Sequence, residues 1–164
     1  MASNRHLARL IAVQTLYEWG FISERFPTEE NLDKKKKISE ILDRNYQEFR
    51  KSLDNKDFLF DLVWGVSEYQ DRIDTIIAPA APEWPIGQIA LVDLTVLRLA
   101  IYELLFKQEV PPKVAINEAV ELGKTLGGPN SSKFINGVLG TVYRASEIYN
   151  PEDDIKKKEK KEDL

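Results

Sequence analysis

The chain has 164 residues, enough for one sizeable domain with its own core, and its 23 Lys and Arg against 27 Asp and Glu give a formal charge of −4. With a sequence pI near 5.2, a globally basic surface is excluded, so nucleic acid could be held only by a local patch. The absence of cysteine excludes disulfides and thiolate chemistry, and no run, the start Met1–His6 included, is apolar enough for a signal core or a membrane span; the expectation is a cytoplasmic protein.

Helical spacing governs the chain from the start. Leu7, Leu10, Ile11, Gln14 and Tyr17 share one face of a first helix, with Ser3 or Asn4 as cap and Gly20 as stop. Residues 21–37 are polar, contain Pro27 and end in four lysines, which reads as loop. Ile38, Ile41, Leu42, Asn45, Phe49 and Leu53 form a second stripe. Asn55 is placed to cap a third helix, in which Leu59, Leu62, Val63, Val66 and Tyr69 keep the spacing. Ile73, Ile76 and Ile77 mark one more short helix before Pro79. Pro79, Pro82 and Pro85 punctuate a connector around Trp84, which is expected to plug an apolar notch between two subdomains. Leu91, Leu94, Leu97, Ile101, Leu104 and Leu105 write a helix over 91–107 that is apolar on more than one side, hence central and buried.

The stretch that follows is the most informative. Val110-Pro111-Pro112 halts the central helix, and proline is well tolerated in the first turn of the next, where Ile116, Ala119, Val120, Gly123 and Leu126 recur. Gly127 and Gly128, free to take positive φ, end that helix, and Pro129 blocks its continuation. Asn130, Ser131 and Ser132 are N-cap formers, and Phe134, Ile135, Val138, Leu139, Val142 and Tyr143 stripe the last helix, where Gly137 and Gly140 suit a close crossing. The turn sets a helix N-terminus beside Lys133, an arrangement that suits a phosphate. From Asn150 the chain mixes Lys with Asp and Glu, with Ile155 as its one aliphatic before Leu164, so it cannot build a core and is expected to be a disordered or frayed tail. With no period-two alternation, the expected fold is all-α. About seven helices would pack as two subdomains, about 1–80 and 86–149, within one domain over 1–149, followed by a charged tail over 150–164.

The residue inventory argues against an enzyme. The single histidine, His6, lies near a terminus, and no metal-ligand spacing occurs. Gly123-Lys124-Thr125 imitates the end of a phosphate-binding loop, but the required upstream glycine position holds Glu118 on a helix. No cofactor is called for. Arg5 and Arg9, four residues apart, share a helix face and are either a solvated surface or a local basic patch. Asn117, Glu118 and Glu121 read as helix-surface or capping groups.

The segments Val110–Leu122 and Ser131–Gly140 resemble the carboxy-terminal signature of the NusB transcription antitermination family. The likeness extends upstream through Val92–Leu104 and reappears at Arg9–Tyr17, covering roughly half the chain. The resemblance implies an all-α, non-enzymatic protein that binds single-stranded boxA RNA with the ribosomal protein NusE and joins the transcription elongation complex, notably in ribosomal RNA operons. It further implies an RNA face made of Arg5, His6, Arg9, Gln14 and Tyr17 with Asn130, Ser132, Lys133, Phe134 and Asn136. Arg5, Arg9 and Lys133 would neutralise phosphates, helped by the backbone amides of 131–133, and Tyr17 or Phe134 would stack on a base. Asp93 and Glu103 are the implied candidates for NusE. Some relatives form homodimers, and relatives fused to a methyltransferase domain would need a cofactor-binding sheet that this chain is too short to hold. Many members begin with an arginine run, whereas this chain reads Asn4-Arg5-His6-Leu7-Ala8-Arg9. Fewer fixed charges imply weaker RNA binding and more reliance on a protein partner. The alternative is a helical protein-interaction module with weak or lost RNA binding.

Overall fold

Where apolar residues recur at helical spacing the chain is helical, and the helices run longer than their local stop signals imply. The computed structural model describes residues 2–25 and 33–154, with side chains from Asn4 onward in the first helix. Among these residues there are six α-helices, one 3-10 turn and no strand. They are α1 (Ala2–Arg25), α2 (Lys34–Phe49), α3 (Lys56–Ala80), the 3-10 turn Ile86–Gln88, α4 (Leu91–Ile101), α5 (Pro112–Leu126) and α6 (Ser131–Arg144). A π-helical segment, Tyr102–Lys107, prolongs α4.

α1 does not stop at Gly20. A Cβ there would lie 3.2 Å from Leu91 Cδ1, so the glycine lets the start of α4 press against α1. Asn4 lies inside α1 and clamps the loop after α2, donating from Nδ2 to the Ser52 carbonyl (2.9 Å) and accepting at Oδ1 from the Asp54 N–H (2.8 Å). The loop expected over 21–37 is helical at both ends. α1 runs to Arg25, and the four lysines open α2 behind Asp33, whose carboxylate accepts from the Lys36 N–H. Residues 26–32 lie outside the described part.

α3 is one helix where two were expected. Asn55 caps it through the Phe58 N–H (3.0 Å), and Pro79 sits in its last turn, one residue before the helix ends at Ala80. Trp84 is 51 % exposed and plugs nothing; it stands at the mouth of a cavity. α4 is central as expected, with Leu94, Val96, Leu97, Leu99, Ala100 and Ile101 buried around its circumference. Arg98 ties it to α3 by a two-pronged pair with Asp74 (2.8 and 2.9 Å).

The α5–α6 hairpin owes its closeness to Gly123 rather than to Gly137 or Gly140. A Cβ on Gly123 would come within 2.7 Å of Ile135 Cδ1 and 3.3 Å of Ser132 Cα, whereas one on Gly137 would meet nothing and one on Gly140 only the Arg144 side chain of its own helix. Neither Gly127 nor Gly128 uses positive φ. Gly127 is needed for space instead: its Cβ would fall 2.3 Å from Ser131 Oγ. Residues 150–154, expected as tail, fold back on α6, where Tyr143 donates to Asp153 (2.5 Å) and Tyr149 to Asp154. Residues 155–164 lie outside the described part. The buried side chains of α1 to α6 make one continuous core.

Candidate nucleic-acid interface

Burial separates the two arginines of α1, which look equivalent in sequence. Arg9 is 2 % exposed and donates from Nε and Nη2 to both oxygens of Glu103 (2.8 and 2.9 Å), itself 2 % exposed. Its Nη1 lies 3.7 Å from Glu118 Oε2. Two expectations are corrected by this pair. Arg9 is not a surface cation waiting for phosphate, and Glu103 is not a surface acid waiting for a protein. The π-helical turn carries Glu103 inward, and both charges are retained because each satisfies the other. Glu118, expected on the helix surface, also lies 3.0 Å from His6 Nδ1, so His6, Arg9, Glu103 and Glu118 form one network across α1, the π-helical segment and α5.

Arg5 differs. It is half-buried, its guanidinium stands 4.8 Å from the centre of the Phe58 ring, and no carboxylate pairs with it among the described residues. Lys107, across the same ring at 5.5 Å, is already paired with Asp61 (2.5 Å) and Glu109 (3.1 Å). Burial opposes its charge, yet those hydrogen bonds outweigh it and move its pKa up. Neighbouring Tyr102 is pushed up to about 12 by burial and by the Asp61 carboxylate, to which its hydroxyl donates at 3.2 Å. Further along α1, Gln14 is exposed rather than on the apolar face, and half-buried Tyr17 stacks on Phe21 with centroids 6.4 Å apart.

The second group lies at the other end of α1. Gly20 packs on Leu91 at the start of α4, whereas Arg9 meets Glu103 beyond its end, so the two helices run antiparallel. Asp93, in the first turn of α4, shares with Asn130, Ser131, Lys133 and Phe134 a cavity of about 670 Å³. The α6 start and the basic start of α1 therefore do not converge on one point. Helical rise over the eleven residues from Arg9 to Gly20 amounts to about 16 Å. Exposed Lys133 forms no ion pair among the described residues. The Ser131 amide is taken by the Gly128 carbonyl (3.2 Å) and the Ser131 hydroxyl by the Gly128 N–H (2.9 Å), leaving Ser132 and Lys133 as the first-turn amides with no intrahelical acceptor. Asn130 makes no side-chain cap, and Asn136 opens onto a separate cavity with Asn117, Gly137 and Arg144. Sequence reasoning missed the network at His6 and Glu118 and the exposed Trp84; an aromatic in a proline-rich connector was the available signal.

Among the described residues no group of His, Asp and Glu could hold a metal ion, and no helix is long and apolar enough to cross a membrane. The NusB family model matches residues 6–144. The chain is 42 % identical over 144 residues to the transcription antitermination protein NusB of Chloroflexus aggregans, covering 87 % of this chain and 88 % of that one. It is 38 % identical over 145 residues to that of Dehalococcoides mccartyi, covering 88 % and 93 %. Among solved structures, T. maritima NusB superposes with a TM-score of 0.70 at 28 % identity, covering 93 % of this chain and 96 % of that one. A crystal structure of antitermination factors NusB and NusE in complex with dsRNA matches with a TM-score of 0.71 at 28 % identity, over 89 % and 100 %. A likeness that spans every helix described here and nearly the full length of these relatives is a likeness of whole proteins: the chain belongs to the NusB family of transcription antitermination proteins.

Proposed function

We propose that the protein binds boxA-type single-stranded RNA together with NusE in the cytoplasm, joins the transcription elongation complex and promotes antitermination in ribosomal RNA operons. One observation carries this reading. On a chain of formal charge −4, Arg5 near the start of α1 and Lys133 in the first turn of α6 are left without carboxylate partners among the described residues, and α1 also presents exposed Gln14 and half-buried Tyr17. Fixed cations that the fold does not neutralise are what a phosphate backbone requires. A relative crystallised with NusE and dsRNA supports NusE and RNA as the classes of partner. In this reading Arg5 and Lys133 meet phosphates, with the Ser132 and Lys133 amides assisting. His6, Asn130, Ser132 and Asn136 contribute polar contacts, and Tyr17 and Phe134 offer ring faces.

The burial of Arg9 favours one other reading, a protein-interaction module with weak RNA binding, because it removes a cation from an already thin patch. Titrating labelled boxA RNA and a scrambled strand, with and without NusE, separates the two. Antitermination predicts that boxA binds better than the scramble, that NusE increases the difference, and that Arg5→Glu with Lys133→Glu abolishes binding in a folded protein. Equal binding of both strands, or indifference to the charge reversals, would leave the interaction module.

A further inference from the structure

The outer groove between α5 and α6 holds two cations that the fold does not pair. Exposed Lys113 and Arg144 border a cavity of about 570 Å³ and form no ion pair among the described residues. Exposed Asn117 and Asn136 bring side-chain amide donors to the same cavity. The Arg144 guanidinium lies back along α6, with Nη1 3.2 Å from where a Gly140 Cβ would stand, and a Cβ on Gly137 would meet nothing. These two glycines weaken α6 by about 1 kcal/mol each relative to alanine and serve no helix crossing, but they let an extended chain approach the helix closely. Asp153 and Asp154 border the same cavity, held there by the hydroxyls of Tyr143 (2.5 Å) and Tyr149. The Asn150 N–H donates to the Tyr143 hydroxyl (3.1 Å), so residues 150–154 form an acidic strap pinned to α6.

We propose that this groove is a further phosphate site for the bound RNA, masked by the acidic strap until a strand held elsewhere on the protein displaces it. The inference rests on the RNA-binding reading above and extends it. Continuity with that surface assigns the ligand. Asn136 lies about one turn from Lys133 on α6, and the eleven residues from Lys133 to Arg144 rise about 16 Å. At the α5 wall Asn117 adjoins Glu118, which holds His6 at 3.0 Å. A strand that leaves Lys133 along α6 therefore passes both glycines before it meets Arg144. Two carboxylates against two cations leave the groove without net charge, so a free phosphate gains little by entering. A phosphate tethered through Arg5 or Lys133 arrives at high effective concentration and replaces the strap. Because the strap already balances the cations, this exchange adds affinity without releasing counterions. An acidic peptide would also suit Lys113 and Arg144, but it lacks the anchorage at Lys133 that leads a strand into the groove.

The test uses the full chain and labelled boxA RNA, titrated across a range of salt. Asp153→Asn with Asp154→Asn neutralises the strap yet keeps an oxygen for each tyrosine hydroxyl, so the melting temperature should hold. This variant is expected to bind several-fold more tightly than the wild type. Its salt slope should steepen by about 0.7, the increment of one further phosphate contact on a single strand. Adding Lys113→Gln and Arg144→Gln should abolish both gains. Asp43→Asn with Glu48→Gln, at exposed acids of α2, removes the same charge and should move affinity little. An equal gain from the α2 pair, or a gain that survives loss of Lys113 and Arg144, makes the effect one of net charge and overturns the site. Unchanged affinity in the strap variant also overturns it while leaving the RNA-binding reading in place; no binding of boxA by any of these proteins overturns both.

Discussion

Arg9 and Glu103 hold full charges at 2 % exposure, so each is tolerated only because the other is there. Breaking such a pair leaves one charge buried alone, which typically costs about 3–5 kcal/mol, whereas replacing both members with apolar groups is often neutral. Arg9→Met should therefore lower stability by about 3–5 kcal/mol in urea unfolding, and Arg9→Met with Glu103→Leu should recover most of it. A surface arginine would show neither effect, so the double substitution distinguishes a strut from an RNA contact. Gly65 makes a second prediction at this scale. A Cβ there would fall 2.0 Å from the ring of Tyr102, and a phenol held by Asp61 has little freedom to retreat. Gly65→Ala should cost about 1–3 kcal/mol by overpacking, and pairing it with Tyr102→Ala should relieve the clash. Neither effect is visible in the sequence. Arg5 and Arg9 are one helical turn apart and alike; only a partner 94 residues away tells them apart.

Elements were legible where the signal was local and failed where it was tertiary. The stripes of α2, α4, α5 and α6 and the Asn55 cap follow from periodicity and side-chain chemistry. Gly20 misled because a glycine inside a helix can serve packing, whereas Pro79 did mark a helix end, α3 stopping at Ala80; the miss there was dividing α3 into two helices. Asp33 before the lysines was a helix-start signal outweighed by their charge. The π-helical turn had no local signal at all. It ends on Gln108 at φ 53° and ψ 32°, whose N–H donates to the Glu103 carbonyl (3.0 Å). A non-glycine residue in the left-handed region carries about 1 kcal/mol of strain. Gln108→Gly should accordingly raise stability by up to about 1 kcal/mol, read as a higher urea midpoint with an unchanged slope.

At the scale of the molecule, Tyr102 and Lys107 couple folding to alkali. Both have pKa values raised in the folded state, Tyr102 to about 12 from 10.0. A raised folded value means the native state holds its proton longer than the unfolded chain, so this stability is present below pH 10 and is lost as pH rises toward 12. Unfolding followed by circular dichroism should show a decline confined to that window, flattened by Tyr102→Phe. Charge makes a second prediction at this scale. With Arg5 and Lys133 as the phosphate contacts on a net −4 protein, the slope of log affinity against log salt should be about −1.4, and Arg5→Ala should halve it. The two-ended layout behind that number was legible only in part: residue types marked the start of α1 and the start of α6, but the antiparallel run of α4 against α1, which sets them apart, exists only in the packing.

The ionic network joining the two halves of the chain also sets a timetable for synthesis. Arg9 leaves the ribosome 94 residues before Glu103, and His6 leaves 112 before Glu118. At translation speeds of 5–20 residues per second, Arg9 waits roughly 5–20 s for its counter-ion. Until then the nascent amino terminus shows two unneutralised arginines, one more than the same segment shows once folded, so a stalled or truncated product should cling to RNA less selectively than the completed chain.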